Sequence, residues 1–279
     1  MYNKFLVIAS KKDKAGINIT TQLSQFRKNP LISGIQSDGK GFDFYLVDDE
    51  IIHTENLDME KISRYDFIIF ASRHSTSSNS EKQKTLSVHA PGNFRRADFG
   101  GESGKVCKTS AIFCKQIFEK LKKNADTYNL KDYHITLEAT HHGPLINKPC
   151  LFIEIGSTIE EWGNRKAGFV IAKTIEEMIQ EFEENPYNEI AIAIGGPHYC
   201  PNFNKIQLSS NIAISHVISQ YNFPLTEEMV IEAIEKTEEE VDFAVLDWKG
   251  LGNAEQRKSI IDILEKNYIQ WKKTSDVGK

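Results

Sequence analysis

The 279-residue chain has only four cysteines, Cys107, Cys114, Cys150 and Cys200, and none of them forms a C-x-x-C pair. That excludes a disulfide-stapled scaffold and a compact thiolate zinc motif, and makes reduced thiols in a cytoplasmic setting the expectation. Cys114 and Cys150 sit in apolar patterns that read as core; Cys200, beside His198, reads as packing before metal ligation. No apolar run approaches the ~20 residues of a membrane span. Met1 to Ser10 lacks the basic flank and cleavage site of a signal peptide and reads as a core strand. Basic charge is not in excess: 34 Lys and Arg stand against 39 Asp and Glu, a net of −5, so a histone-like polycation is excluded. There is no internal repeat and no Pro- or Gly-rich linker, so a single domain over residues 1–279 is expected. H-E-x-x-H and G-x-S-x-G are both absent, which removes local support for a helical zinc protease site or a serine-esterase elbow. Ser75, Ser77 and Ser157 remain only weak nucleophile candidates. Gly104-Lys105 is no phosphate loop, because Phe99 occupies the position of the required glycine and Val106 that of the Ser or Thr.

Short apolar runs alternate with helix-period segments, the pattern of an α/β protein: a mainly parallel mixed sheet with helices on both faces. Strands are expected at Phe5–Ala9, Phe44–Val47, Phe67–Ala71, Ile135–Glu138, Leu151–Ile155, Ile190–Ile194, Ile212–Ile214 and Phe243–Leu246. Helices are expected at Ala15–Arg27, Ser110–Asn124, Lys166–Glu183, Glu227–Glu239 and Ala254–Asn267, with Thr226 well suited to cap the fourth. The segment 72–108 is rich in Ser, Gly and charge without clear periodicity, and reads as a long functional loop.

Open parallel sheets bind ligands beyond the carboxyl ends of their strands. Five of the eight histidines, His74, His89, His141, His142 and His198, fall in segments that follow apolar runs, near Glu138, Glu154 and Asp247. One loop histidine is an ordinary surface residue, but five on one expected edge point to a single polar site. Imidazole and carboxylate suit zinc, so these five histidines are the candidate metal ligands. His74, His142, Glu138 and Glu154 are the catalytic candidates, suited by residue type to proton transfer or to orienting a ligand histidine. Glu154 has a competing role as a partner within the sheet. His53, His134 and His216 are assigned to the fold. Backbone N–H groups at Gly143 or Gly195 and Gly196 are candidates for oxyanion stabilisation. From Arg73 to Lys123 there are eleven basic against four acidic residues. Such a flank suits a polyanion whose reactive end enters the pocket, and equally suits a plain solvated surface.

Six blocks occur in order: Ser72-Arg73-His74; His89-Ala90-Pro91-Gly92-Asn93; Glu138-Ala139-Thr140-His141-His142-Gly143-Pro144; Phe152-Ile153-Glu154-Ile155-Gly156-Ser157-Thr158 with Trp162; Gly195-Gly196-Pro197-His198-Tyr199; and Asp247-Trp248-Lys249-Gly250. Together they resemble the archaeal and plant-type D-aminoacyl-tRNA deacylase family, from about Lys4 to the last helix. The resemblance implies a peptidyl-tRNA-hydrolase/phosphorylase-like scaffold and a zinc-dependent, monomeric enzyme. The implied reaction is hydrolysis of the ester between a D-amino acid and the 3′-terminal ribose of tRNA. On that reading Arg73, Asn93, Arg95, Arg96, Lys105, Thr140, Gly143, Gly195, Gly196, Trp248 and Lys249 are the candidate contacts to substrate and tRNA. Two other classes fit the residues: a hydrolase or phosphorylase acting on a small nucleoside or peptide, and a non-catalytic tRNA-binding protein with structural metal.

Overall fold

The computed structural model describes residues 2–26, 41–55, 57, 59–76 and 82–277. In chain order the strands are β1 (Lys4–Ser10), β2 (Gly41–Val47), β3 (Phe67–Arg73), β4 (Thr85–His89), β5 (Gly92–Asn93), β6 (Lys105–Val106), β7 (His134–Leu137), β8 (Cys150–Gly156), β9 (Glu189–Ile194), β10 (Ile212–Ile218), β11 (Phe243–Leu246) and β12 (Trp271–Lys273). The helices are α1 (Lys14–Leu23), α2 (Met59–Ser63), α3 (Ala111–Thr127), α4 (Ile159–Trp162), α5 (Arg165–Glu181), α6 (Pro201–Ser209), α7 (Glu227–Glu235) and α8 (Ala254–Lys266). None of them is long and apolar enough to cross a membrane. The expected helix at Ala15–Arg27 ends as α1 and a short 3-10 turn, Ser24–Phe26; Arg27 lies outside the described residues, as does Ser77.

Of the twelve strands among the described residues, β5 and β6 form a separate antiparallel pair and ten divide between two sheets. One has the order β2-β1-β3-β8-β4-β7 and the other the all-parallel order β10-β9-β11-β12. In the first, β1, β2, β3 and β8 are parallel, whereas β4 enters antiparallel to β8 and pairs parallel with β7. Period-2 alternation explains why β1 reads as an unbroken apolar run: Phe5, Val7 and Ala9 enter one core while Leu6 and Ile8 enter another. The first core holds α1, α3 and α5; α3 also packs on β9 and β10, which ties the two sheets together. Ser110 caps α3 by accepting from Phe113 N, and Thr226 caps α7 by accepting from Met229 N. The opposite face of the larger sheet is covered by Val47, Ile51, Leu57, Ile62 and Tyr65. The outer face of the smaller sheet is covered by Met229 and Val230 of α7 and by Ile260 and Leu264 of α8.

The expectation of one long loop over 72–108 is corrected. β4 lies inside this segment, fully buried, with Leu86 and Val88 in the first core. Its alternating Thr85, Ser87 and His89 are polar, which hid a strand buried on both faces. The short pair β5–β6 occupies more of the segment, and α6 and β12 were not anticipated from the residue pattern.

Candidate active site

Strand register builds the site. Across the larger sheet Ser72 lies beside Glu154, and Glu154 beside Ser87; one step along, Phe70 lies beside Phe152, and Phe152 beside His89. Since side chains two apart share a face, Glu154 and His89 project from the side of the sheet that Phe70 and Phe152 occupy. The His89 ring stacks on Phe152 with centroids 5.1 Å apart and planes 8° apart. His74 follows β3. Past β7 the chain crosses to the second sheet, where Ala139 N donates to His198 O at 2.8 Å and Thr140 N to Val217 O at 3.0 Å. That crossing carries Glu138, His141 and His142 to the others, and the turn after β9 supplies His198. The expected single carboxyl edge is therefore corrected: β4 and β7 run against β8, and the site forms in the seam between the sheets.

All five histidines and both glutamates meet there. Glu138 Oε2 lies 3.1 Å from His74 Nδ1, 3.2 Å from His198 Nε2 and 3.5 Å from His141 Nε2. Glu154 Oε2 lies 3.7 Å from both His74 Nδ1 and His89 Nε2. None of these contacts has hydrogen-bond alignment, so both oxygens of Glu138, Glu154 Oε2 and His89 Nε2 are buried without a partner. Three imidazoles are locked from behind by backbone carbonyls: His89 Nδ1 on Ala90 O (3.1 Å), His141 Nδ1 on Ala139 O (2.7 Å) and His142 Nδ1 on Gly143 O (2.7 Å). A carbonyl can only accept, so each Nδ1 carries the proton and each Nε2 presents a lone pair. The donor atoms fall into three overlapping groups, each within 4.8 Å: His74, Glu138, His141 and His198; His89, His141 and His142; and His89, Glu138 and Glu154. Buried carboxylate oxygens without hydrogen-bond donors, with the Nε2 atoms of His89, His141 and His142 close by, fit a bound cation.

Electrostatics divide the cluster. Burial alone would raise both carboxyls, but His74 and His198 beside Glu138, and His74 and His89 beside Glu154, hold them below the usual carboxylate range. Burial opposes charge on His74 as well, yet Glu138 and Glu154 raise it to about 11. Desolvation, reinforced by His89, pushes His142 down to about 4, and His141 is lowered in the same way with His142 adding to the effect. Sequence reasoning missed the residues that hold His74: Tyr199 Oη lies 3.1 Å from its Nε2, and Trp162 Nε1 donates to its backbone oxygen at 3.0 Å. Both lie within the quoted sequence blocks, which was the available signal.

The model of one family, described as D-aminoacyl-tRNA deacylase, matches residues 62–272. The chain belongs to this D-aminoacyl-tRNA deacylase family. Proteins named D-aminoacyl-tRNA deacylase are similar to it in Thermococcus onnurineus (36% identity, covering 88% of this chain and 91% of the other) and in Methanocaldococcus jannaschii (31%, covering 97% and 99%). A solved structure titled as a conserved protein of unknown function superposes with a TM-score of 0.85 at 30% identity, covering 99% of this chain and 96% of that one.

The remaining candidates of this deacylase-family chain are distributed unevenly. Arg73 lines a cavity of about 570 Å³ in front of the imidazoles, paired with Glu50 at 2.9 Å. Asn93, Arg96 and Thr140 line a second cavity of about 360 Å³. Arg95 donates to Phe223 O at 2.8 Å and Lys105 pairs with Glu232 at 3.2 Å; neither lines either cavity. Much of the basic run is matched by acids from elsewhere, as in Lys84–Asp132 and Lys120–Glu181, and Lys115 is wholly buried. Two candidates for an oxyanion site are corrected: Gly143 N already donates to Phe99 O (2.9 Å) and Gly195 N to Ile218 O (2.8 Å). Gly143 is there for closeness, since a Cβ would lie 2.4 Å from Gly101 N. Gly196, at φ 78, turns the chain against Asp247. Next to Asp247, the Trp248 ring carries Lys273 Nζ at 4.1 Å and the Arg257 guanidinium at 5.2 Å, with Lys249 exposed beside it. Ser157 is engaged with both the N and O of Gln83, while Ser75 lines the larger cavity. All four cysteines are buried and free.

Proposed function

We propose that this chain hydrolyses the ester joining a D-amino acid to the 3′ end of tRNA, releasing both, with zinc at the imidazole cluster. The observation that carries the reading is the set of partnerless buried acceptors, Glu138 Oε1 and Oε2 and Glu154 Oε2, facing imidazole nitrogens beside an open cavity in a chain of the deacylase family. His89, His141 and His142 would hold the metal through Nε2, with His198 as the adjoining imidazole. Zinc bound there supplies a water acidic enough to lose its proton near neutral pH and a positive charge beside the ester carbonyl. Glu154, which lines the cavity, is placed to accept that proton, and His74 to pass one to the departing ribose oxygen. Glu138 lies behind the ring of imidazoles and orients three of them. Trp248 with Arg257, Lys273 and Lys249, and Arg96 at the cavity rim, would contact phosphates of the acceptor end. The enzyme would act as a cytoplasmic monomer.

Matched D- and L-tyrosyl-tRNA, assayed before and after chelation, test the proposal. Faster release from the D substrate, loss on chelation and recovery with zinc are expected. Equal rates on both enantiomers, or no hydrolysis, would overturn the deacylase reading. Full activity after confirmed metal removal would overturn only the zinc.

A further inference from the structure

The two cavities in front of the site share five lining residues: His141, His142, His198, Phe99 and Tyr221. The cleft therefore forks at the imidazole cluster, and two aromatic rings stand at the fork. Phe99 is 65% exposed and Tyr221 62%, and they are the exposed large apolar side chains, among the described residues, that line either cavity. Both sit on pinned turns. Phe99 O accepts from Gly143 N at 2.9 Å, and Asn93 Nδ2 holds Gly100 O at 2.8 Å. Tyr221 lies in the 3-10 turn Gln220–Asn222, where Gln220 N donates to Gly196 O and Asn222 N to Ser219 O, each at 3.0 Å. Among the described residues neither ring has an aromatic or cationic partner, so two large apolar faces are held open to water at fixed positions.

The arms of the fork differ chemically. The larger offers Ile51 and Ile52 beside Glu50 and Arg73, an apolar wall next to paired charges. The smaller has no aliphatic wall of that kind: it offers the amide and hydroxyl groups of Asn93, Ser219 and Asn222, with the ion pair Arg96–Asp98 (3.3 Å) also in its lining. An aminoacyl-nucleoside ester forks in the same way: from the ester carbonyl the amino acid leaves in one direction, and ribose and base leave in the other. Bases stack on aromatic faces whatever their identity, and amide and hydroxyl groups can bond to their edges. We infer that Phe99 and Tyr221 form the stacking site for the terminal adenine of the tRNA, with the smaller cavity as its nucleoside arm and the larger as its aminoacyl arm. This rests on the deacylase reading and adds to it which residues grip the RNA end.

Steady-state hydrolysis of D-tyrosyl-tRNA by Tyr221→Ala, Phe99→Ala and the double variant tests the inference. Inhibition by the trinucleotide CCA and by free D-tyrosine is measured alongside. Each single change should raise KM and the CCA inhibition constant roughly tenfold, leaving D-tyrosine inhibition as it was. Tyr221→Trp should keep wild-type values, and so should Tyr268→Ala, an exposed tyrosine outside both cavities. An unchanged KM in the double variant would overturn the inference. So would loss of D-tyrosine inhibition in place of CCA inhibition, which would put the rings on the amino acid. A wild-type enzyme without turnover on D-tyrosyl-tRNA would instead refute the deacylase reading itself.

Discussion

Asp13 and the pair Glu138 and Glu154 are all buried carboxylates close to the same cavity, with exposures of 3%, 2% and 1%. Their surroundings are opposite. Asp13 Oδ1 caps α1 by accepting from Ala15 N and Gly16 N at 2.8 and 3.0 Å, and Oδ2 accepts from Ser72 Oγ and Arg73 N at 2.9 and 2.8 Å. Every lone pair of that carboxylate has a donor from the chain. Glu138 receives no hydrogen bond from the chain on either oxygen, nor does Glu154 Oε2; imidazoles face them instead, His74 Nδ1 nearest at 3.1 Å. Burial alone therefore does not distinguish a fold residue from a site residue; whether the fold itself satisfies the buried group does.

Substitution can break that contrast. Glu138→Gln should lower turnover of D-aminoacyl-tRNA by roughly 10²–10⁴-fold, because it removes the charge that orients three imidazoles. Its urea midpoint should fall by less than that of Asp13→Ala, since the His74 imidazole keeps Glu154 as its counter-charge. Asp13→Ala should do the reverse: about 3 kcal/mol less stable by urea unfolding, from a lost helix cap and donors of Ser72 and Arg73 left without an acceptor, with bound metal retained. If Glu138→Gln proves as destabilising as Asp13→Ala, Glu138 is a fold residue and the contrast collapses.

The sequence made some of this visible and hid the rest for physical reasons. The apolar runs of β1, β3, β8 and β9, the apolar face of α3 and the capped start of α7 were legible because parallel strands and amphipathic helices bury continuous or periodic apolar surface. β4 was not, because its polar Thr85 and Ser87 point into the protein and break the pattern. Four of the imidazoles could be gathered from sequence, since His74, His141, His142 and His198 closely follow legible strands, whereas His89 ends β4 and was gathered only as part of the long segment after β3. Their meeting place could not, because pairing direction is a property of the sheet: β4 runs against β8. Charge misled in the same way. The basic run from Arg73 to Lys123 meets Glu50, Asp132, Glu181 and Glu232 from other segments, and only folding brings those acids to it.

The contrast extends to imidazoles. His216 is fully buried, but it belongs with Asp13: its ring nitrogens reach Thr140 Oγ1 at 3.3 Å and Lys236 O at 3.4 Å, and it joins none of the candidate metal groups. Burial pushes its pKa down to about 4, below the ordinary value near 6.5. Because the folded value is the lower one, its contribution is complete above pH 6.5 and is lost as pH falls toward 4, where the unfolded chain takes up a proton that the folded chain refuses. Between pH 6.5 and 5.5 this amounts to about 1 kcal/mol. The test is urea unfolding of wild type and His216→Gln across that range, with both proteins saturated with zinc so that the site imidazoles behave alike. The variant should lose less stability than wild type by that amount. Parallel curves would mean that His216 is not held neutral by the fold, and the division between engaged and open buried groups would fail for imidazoles even where it holds for carboxylates.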